Sequence, residues 1–217
     1  MKDTAALAEK QTESVISHYA TLAYEYDRRW NRYSVVSLEL LAKRVDMQDG
    51  EALLDLACGT GRLGGIIRER TPGVDLTGMD LSPDMIKMAR GRIPEDARTR
   101  WLEGSMQALP FDDASFDAVS CSSAFHLLTD QRKAMSEMAR VLRPGGRLCI
   151  VDWCRQYPQI QLIQWLARTV GRQYRRILTP DELSTLMSDA GLEVESSEKF
   201  NATWFWAMMC ILARKPG

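Results

Sequence analysis

The chain has 217 residues, and at roughly 150 residues per domain this length predicts one domain with elaborations. With 45% hydrophobic and 26% charged residues, the composition is that of a globular protein and excludes disorder and collagen-like structure. The 28 basic and 29 acidic residues give a net charge of -1. This balance argues against a nucleic-acid partner, which would need a large phosphate-binding surface.

Cysteine and histidine usage predicts neither a metal site nor a disulfide framework. The five cysteines contain no C-x-x-C pair, and the two histidines, His18 and His126, lie far apart. The N-terminus lacks the apolar run of a signal peptide, so we expect a cytoplasmic protein. The longest apolar run, from Trp204 to Ala213, has ten residues against the roughly 20 of a membrane-spanning helix, and we expect it to be a buried strand.

Strands and helices alternate through the first two thirds of the chain. Apolar spacing predicts helices at 4–29 and 35–45, then a strand at 52–57, a glycine loop and a helix that ends before Thr71. There follow a strand at 74–79, a helix that begins at Ser82-Pro83, strands at 99–102 and 116–121, a helix at 129–142 closed by Arg143-Pro144-Gly145-Gly146, and a strand at 147–153. Such alternation indicates a parallel sheet covered on both faces.

The last third departs from this pattern. A helix is predicted at 158–173, another begins at Thr179-Pro180, and strands are predicted at 192–194 and 203–213. No helix fits between these two strands, so they should pair antiparallel at the sheet edge. Residues 155–178 lie outside the alternation and are interpreted as an insertion.

A glycine loop, Gly59-x-Gly61-x-x-Gly64, lies between a buried strand and a helix and lets a ligand approach the backbone. The loop fits NAD, FAD and S-adenosylmethionine (SAM) alike. Asp55, four residues before Gly59, would repel a pyrophosphate held at the loop by on the order of 1 to 4 kcal/mol. A ligand with an ammonium group therefore fits better. Asp80, 21 residues after Gly59, follows the next strand and can accept both hydroxyls of a ribose.

Four blocks in order carry a family resemblance: DLACGTGRLG, MDLSPDMIKMAR, EGSMQALPFDDASFDAV and VLRPGGRLCIVDW. With them, the chain resembles the class I SAM-dependent methyltransferases, in particular the small-molecule group that includes the ubiquinone and menaquinone enzymes. The resemblance implies an α/β fold with a Rossmann-like seven-stranded sheet in the order 3-2-1-4-5-7-6, strand 7 antiparallel and helices on both faces. It also implies one domain over 1–217, with an N-terminal helical cap at 1–48, a lid at 155–178 and SAM as cofactor.

The resemblance also implies which residues hold SAM. Asp55 would face the methionine ammonium, Asp80 the ribose, and Tyr19 the carboxylate end. Ser105 stands where the family usually has an aspartate that accepts a hydrogen bond from adenine. Its hydroxyl can still accept this bond, but it is neutral. Since a charge-assisted bond is roughly twice as strong as a neutral one, the bond from adenine to Ser105 should be the weaker. The remaining cofactor-binding positions are Gly59 and Gly61 at the methionine backbone, Leu81 and Met85 at the adenine, and Ala57, Met106 and Ser122.

Methyl transfer from a sulfonium needs in-line placement of the nucleophile and, for a hydroxyl, removal of its proton. His126, in SSAFHLL after the fourth predicted strand, is the candidate general base, with a packing role as the alternative. Two other functions stay open: a SAM-binding protein with non-methylating chemistry or a non-catalytic partner role, and a nucleotide-dependent oxidoreductase, which Asp55 disfavours.

The insertion 155–178 contains no acid, and its apolar residues are interleaved with Arg155, Arg168, Arg172, Arg175 and Arg176. A basic amphipathic stretch of this kind can lie on an anionic membrane surface, or it can form a lid on the domain with its arginines in solvent. These two interpretations are compatible. With Trp204, Phe205 and Trp206 near the C-terminus, the stretch indicates an apolar or aromatic small-molecule acceptor.

Overall fold

The computed structural model describes residues 33–169 and 176–217. Its elements in chain order are α1, described over 33–45, β1 (Ala52–Leu56), α2 (Arg62–Arg70), β2 (Asp75–Asp80), α3 (Pro83–Arg92), β3 (Thr99–Glu103), β4 (Phe116–Ser122), a 3-10 turn (Phe125–Leu127), α4 (Gln131–Val141), β5 (Leu142–Trp153), α5 (Pro158–Thr169), α6 (Pro180–Asp189), β6 (Glu193–Asn201) and β7 (Ala207–Arg214). The predicted helix at 4–29, most of the predicted cap and Tyr19 lie outside the described residues.

The strands form one seven-stranded sheet in the order β3-β2-β1-β4-β5-β7-β6. Strands β1 to β5 run parallel, and β7 is antiparallel to both β5 and β6. The fold class, the strand order and the antiparallel seventh strand are therefore confirmed. The order reverses between β1 and β4, the position at which open α/β sheets bind their ligands.

The core consists of two apolar layers, one on each face of the sheet. Successive residues of β1 point to opposite faces, so Leu53 packs in one layer and Leu54 in the other. Helices α4 and α6 cover the Leu54 face, whereas α1, α2, α3 and α5 cover the Leu53 face. Burial on both faces explains why β1 is apolar at every position except Asp55.

Helix starts were predicted well because the capping residues act locally. Ser82 accepts a hydrogen bond from the Met85 N–H at 3.4 Å, and Pro83 occupies the first turn of α3. Thr179 begins α6 with a reciprocal capping box to Glu182, again with proline in the first turn.

The predicted bounds of β5 and β6 were wrong. Strand β5 begins at Leu142 rather than 147, because the segment 143–146 bulges between the pairs Phe116–Leu142 and Ala118–Arg147. Strand β6 covers Glu193–Asn201 rather than 192–194. It is an edge strand that alternates between exposed and half-buried residues, so its sequence lacks an apolar run.

The expected buried strand from Trp204 was also wrong at its start. Trp204 is 91% exposed, and β7 begins at Ala207. The Thr203 hydroxyl accepts hydrogen bonds from the N–H groups of Phe205 at 3.3 Å and Trp206 at 3.0 Å, which folds 203–206 into a turn. Of the helices in the described ranges, none has the length and apolarity to cross a membrane.

Candidate active site

A cleft opens at the carboxyl ends of β1 and β4, where the strand order reverses. It is lined by Tyr33, Ser34, Leu38, Asp55, Ala57, Cys58, Gly59, Thr60, Arg62, Leu63, Ser122 and Ser123. Two of these, Ala57 and Ser123, hold positive φ angles of 53° and 56° without being glycine. Such strained residues cost on the order of 1 to 3 kcal/mol each and concentrate at functional sites.

The three glycines of the loop after β1 have two different roles, one at the cleft and two in packing. Gly59 has a φ of 53°, and a Cβ added there would meet no atom of the described residues within 4 Å, so it presents bare backbone to the cleft. Gly61 and Gly64 instead rest on the indole of Trp101, whose Cη2 would lie 3.0 and 3.1 Å from their added Cβ atoms. The spacing of the glycines indicated only the approach of a ligand; the role of Trp101, which is fully buried, was not predicted.

Asp55 ends inside the cleft with a buried carboxylate. The Ser120 hydroxyl on β4 donates a hydrogen bond to its Oδ1 at 2.9 Å. Burial raises the pKa of Asp55 to about 7, while the bond from Ser120 lowers it and the nearby Asp80 raises it further. In the described part of the chain no cationic side chain pairs with Asp55. A buried carboxylate is costly without a cation, so this arrangement suits a cationic ligand.

Asp80 ends β2 beside the same loop. Its Oδ2 accepts from the Gly59 N–H and its Oδ1 from the Ser82 N–H, both at 2.9 Å. Burial raises the pKa of Asp80, and these backbone bonds act in the opposite direction. Each carboxylate oxygen has two lone pairs, so both oxygens can accept a further hydroxyl. The acid thus orders the loop and keeps capacity for a diol ligand.

His126 lies in the 3-10 turn after β4, three residues beyond the cleft-lining Ser123. It is 3% exposed, and its Nδ1 lies 2.6 Å from Oδ1 of Asp152 at the end of β5. The Trp153 indole stacks on the imidazole with a centroid separation of 4.6 Å and an interplanar angle of 18°. Asp152 was not predicted as a site residue, although it is an acid near the end of an apolar strand, as are Asp55 and Asp80.

The structure brings some of the predicted cofactor positions together and places others in the packing around them. Asp55, Ala57, Gly59 and Ser122 line the cleft, and Asp80 bonds to the loop. The other positions do not line the cleft: Gly61 at the start of α2, half-buried Leu81, the core residues Met85 and Met106, and Ser105, whose hydroxyl accepts from the Gln107 N–H. Roles for these residues and for Tyr19 stay predictions.

Thiol and metal chemistry find little support at the cleft. Burial raises the pKa of the Cys58 and Cys121 thiols well above the ordinary value, which fits packing rather than a nucleophilic role. Within 33–169 and 176–217, no group of three His, Cys, Asp or Glu side chains could hold a metal ion.

This sheet order, with one antiparallel strand, a glycine loop after β1 and an acid ending β2, defines the class I SAM-dependent methyltransferase fold. A family profile described as "Methyltransferase domain" matches residues 54–150. A chain of the Haloferax volcanii complex between the Trm112 methyltransferase activator and a methyltransferase superposes with a TM-score of 0.79 at 21% identity, covering 92% of this chain and 98% of that one.

Two similar sequences indicate which methyltransferase family the chain belongs to. The demethylmenaquinone methyltransferase of Thermus thermophilus is 40% identical over 61% of this chain, which spans only 57% of that enzyme's length. The demethylmenaquinone methyltransferase of Clavibacter sepedonicus is 31% identical over 89% of this chain and 77% of its own length. The chain therefore belongs to the SAM-dependent methyltransferases, in the family that includes the demethylmenaquinone methyltransferases, and its cofactor is SAM.

Proposed function

We propose that this protein transfers the methyl group of SAM to a small, apolar acceptor of the hydroquinone type. The observation that carries the proposal is the buried Asp55 carboxylate, which has no cation among the described residues and lines the same cleft as half-buried Gly59. The methionine ammonium of SAM would supply that cation. SAM provides a methyl group on a positively charged sulfur, and this chain provides its binding and the handling of the acceptor's proton.

The other site residues would bind different parts of SAM and the acceptor. Asp80 would accept the ribose hydroxyls through the lone pairs left after its bonds to Gly59 and Ser82. Arg62 lines the cleft and donates to the Ser34 hydroxyl at 2.9 Å, which places a positive charge where a methionine carboxylate could bind. His126 would accept the acceptor's proton, because it follows the strand whose end lines the cleft.

The pairing of Asp55 with an ammonium predicts a pH dependence. The folded-state pKa of about 7 exceeds the ordinary 3.8, so the unliganded protein holds a proton that the unfolded chain releases between these values. Its free energy of unfolding should therefore fall as pH rises from about 4 to 7. SAM binding needs the ionised carboxylate and must release that proton below pH 7. We expect the Kd for SAM to rise about tenfold per pH unit below 7 and to level off above it.

Isothermal titration from pH 5.5 to 8.5 measures this dependence. In buffers of different ionisation enthalpy, proton release should show as a buffer-dependent heat. Asp55→Asn serves as the control, because it removes the titrating group and should give weak binding with a much flatter profile. A wild-type Kd that stays constant over this range would contradict the assignment of Asp55.

An exposed apolar surface supports a lipid-like acceptor. On α5, Leu162, Trp165 and Leu166 are 55%, 60% and 47% exposed, and Trp204 in the neighbouring turn is 91% exposed. Gln159 of α5 donates a hydrogen bond to the Phe205 carbonyl at 3.4 Å, which joins the helix to that turn. We call Leu162, Trp165, Leu166 and Trp204 the apolar face.

A series of aromatic rings in contact with one another leads inward from the apolar face. Centroid separations are 5.6 Å from Trp204 to Phe205, 5.3 Å from Phe205 to Trp206, and 4.7 Å from Trp206 to Trp153. Trp153 in turn stacks on His126. This series of rings joins Trp204, the most exposed of the described tryptophans, to the proposed base, and a planar apolar acceptor can be guided along it.

The apolar face also supports peripheral contact of the lid with a membrane surface. Arg155 and Arg176 both pair with Glu182, so these three residues leave only one net positive charge near the described part of the lid. Electrostatic attraction from these groups is therefore small, and insertion of Trp and Leu side chains should dominate binding.

The proposed function is tested with methyl-labelled SAM and demethylated menaquinol in vesicles of phosphatidylcholine and phosphatidylglycerol. The wild type should move label into the quinol and bind the vesicles. Leu166→Asp should weaken vesicle binding and the rate on vesicle-borne quinol about tenfold, while leaving the rate on a short-chain, water-soluble quinol unchanged. Val36→Asp is the matched control, since Val36 is 41% exposed on α1, outside the apolar face.

Two outcomes would count against these assignments. Label that remains in SAM with every quinol tested would contradict methyl transfer to this acceptor class and favour the non-methylating alternative. Equal vesicle binding by wild type and Leu166→Asp would contradict the membrane contact while leaving the reaction itself intact.

A further inference from the structure

Asp152 is a buried acid whose two oxygens are both engaged by backbone donors. Oδ2 accepts from the His126 N–H at 2.8 Å, and Oδ1 accepts from the Trp153 N–H at 2.7 Å. Oδ1 also lies 2.6 Å from His126 Nδ1. The residue is 3% exposed, so water does not compete for these bonds. A carboxylate held by two N–H groups is fixed as a hydrogen-bond acceptor.

This arrangement sets the tautomer of the imidazole. Because Asp152 accepts from the backbone at each oxygen, the short contact with Nδ1 is best made by an Nδ1–H that donates to Oδ1. The lone pair of the neutral ring is then on Nε2. The backbone bond to His126 and the stacked indole of Trp153 fix the position and the plane of the ring.

We propose that Asp152 is the positioning residue for the reaction: it holds His126 with Nε2 as the atom that takes the acceptor's proton. The inference rests on the proposed function. In the balanced step, the acceptor's O–H bond breaks and its proton moves to Nε2. The electron pair released to the acceptor's aromatic ring forms the new carbon–carbon bond to the methyl group, and the carbon–sulfur bond of SAM breaks with its pair left on sulfur. The methylated ring carbon then loses its own proton while the acceptor's oxygen regains one, which restores the aromatic ring. The imidazolium that forms is stabilised by its hydrogen bond to Asp152.

The tautomer can be measured without any turnover. The chain has only two histidines, so a 15N-histidine-labelled protein gives two ring systems, and His18→Gln identifies the signals of His126. Long-range nitrogen–proton correlation spectra of the neutral ring should show Nδ1 protonated and Nε2 unprotonated. A wild-type His126 with its proton on Nε2 would overturn the inference, whether or not a substrate has been found.

Kinetics of Asp152→Asn test the role in the reaction. The amide cannot accept bonds from His126 Nδ1 and both backbone N–H groups, so the ring should lose its fixed tautomer. We expect kcat to fall about 100-fold or more while KM for the acceptor and Kd for SAM change less than about threefold, since Asp152 touches neither. Asp117→Asn is the control, because Asp117 is the second residue of the neighbouring strand β4 and pairs with Arg143 at the opposite end of the strands.

The outcomes separate the inference from the proposed function. Wild-type methylation with Asp152→Asn retaining kcat within threefold would overturn the positioning role and leave the function standing. A wild type that methylates no acceptor would overturn the function, and the tautomer spectrum would still decide the role of Asp152 in holding the ring. Should Asp152→Asn fail to fold, the wild-type spectrum decides by the same criterion.

Discussion

Replacing Asp80 with alanine should raise the Kd for SAM at least about 100-fold. The substitution removes a carboxylate that would accept two ribose hydroxyls, and hydrogen bonds to a charged group contribute about 1.5 to 3 kcal/mol each. It also removes the two backbone bonds that hold Gly59 and Ser82 at 2.9 Å, so the loop facing the cleft loses its anchor. Both losses weaken binding, and isothermal titration with SAM and S-adenosylhomocysteine measures their sum.

Asp75→Ala is the matched control, at the other end of the same strand. Asp75 is exposed and pairs with Arg98 at 2.9 Å, an interaction worth about 0 to 1 kcal/mol. Its removal should leave the Kd for SAM unchanged within twofold. If Asp80→Ala bound SAM as tightly as Asp75→Ala, the ribose would have to bind elsewhere, although methyl transfer itself would stay open.

The sequence predicted those parts of the fold whose signals are local. Apolar runs gave the buried parallel strands, because strands covered on both faces have no polar face to alternate. The pairs Ser82-Pro83 and Thr179-Pro180 marked helix starts, because a capping side chain bonds within its own turn. The acids that end β1 and β2 could be placed together from the sequence, since the carboxyl ends of parallel strands meet at one edge.

The missed features depend on contacts between distant segments. Asp152 and His126 are 26 residues apart, and their pairing appears only when β4 and β5 lie side by side. Strand β6 owes its stability to pairing with β7 along Glu193–Asn201 and not to an apolar run of its own. Trp101 packs against Gly61 and Gly64 in one segment and against Gly78 in another. These contacts cannot be inferred from spacing along the chain.

The contact between Trp101 and Gly78 carries the largest expected effect on stability. Gly78→Ala should lower the free energy of unfolding by about 3 kcal/mol or more. A Cβ at Gly78 would lie well under 3.0 Å from the Cζ3 and Cε3 atoms of the Trp101 ring. Displacing the ring is costly, because Trp101 is 0% exposed and its Nε1–H donates to the Ile93 carbonyl at 2.9 Å. Urea denaturation followed by circular dichroism measures the change in the free energy of unfolding.

Gly91→Ala provides a control of opposite sign. Gly91 lies in α3, where an added Cβ meets no described atom within 4 Å, so alanine should stabilise the helix by about 0.5 to 1 kcal/mol. The double variant Gly78→Ala/Trp101→Leu should recover part of the loss of Gly78→Ala, because removal of the rigid ring makes room for the methyl group. Without such recovery, the clash with the indole would not be the cause. Since Gly61 and Gly64 rest on the same ring, a shifted Trp101 should also move the loop and weaken SAM binding in Gly78→Ala but not in Gly91→Ala.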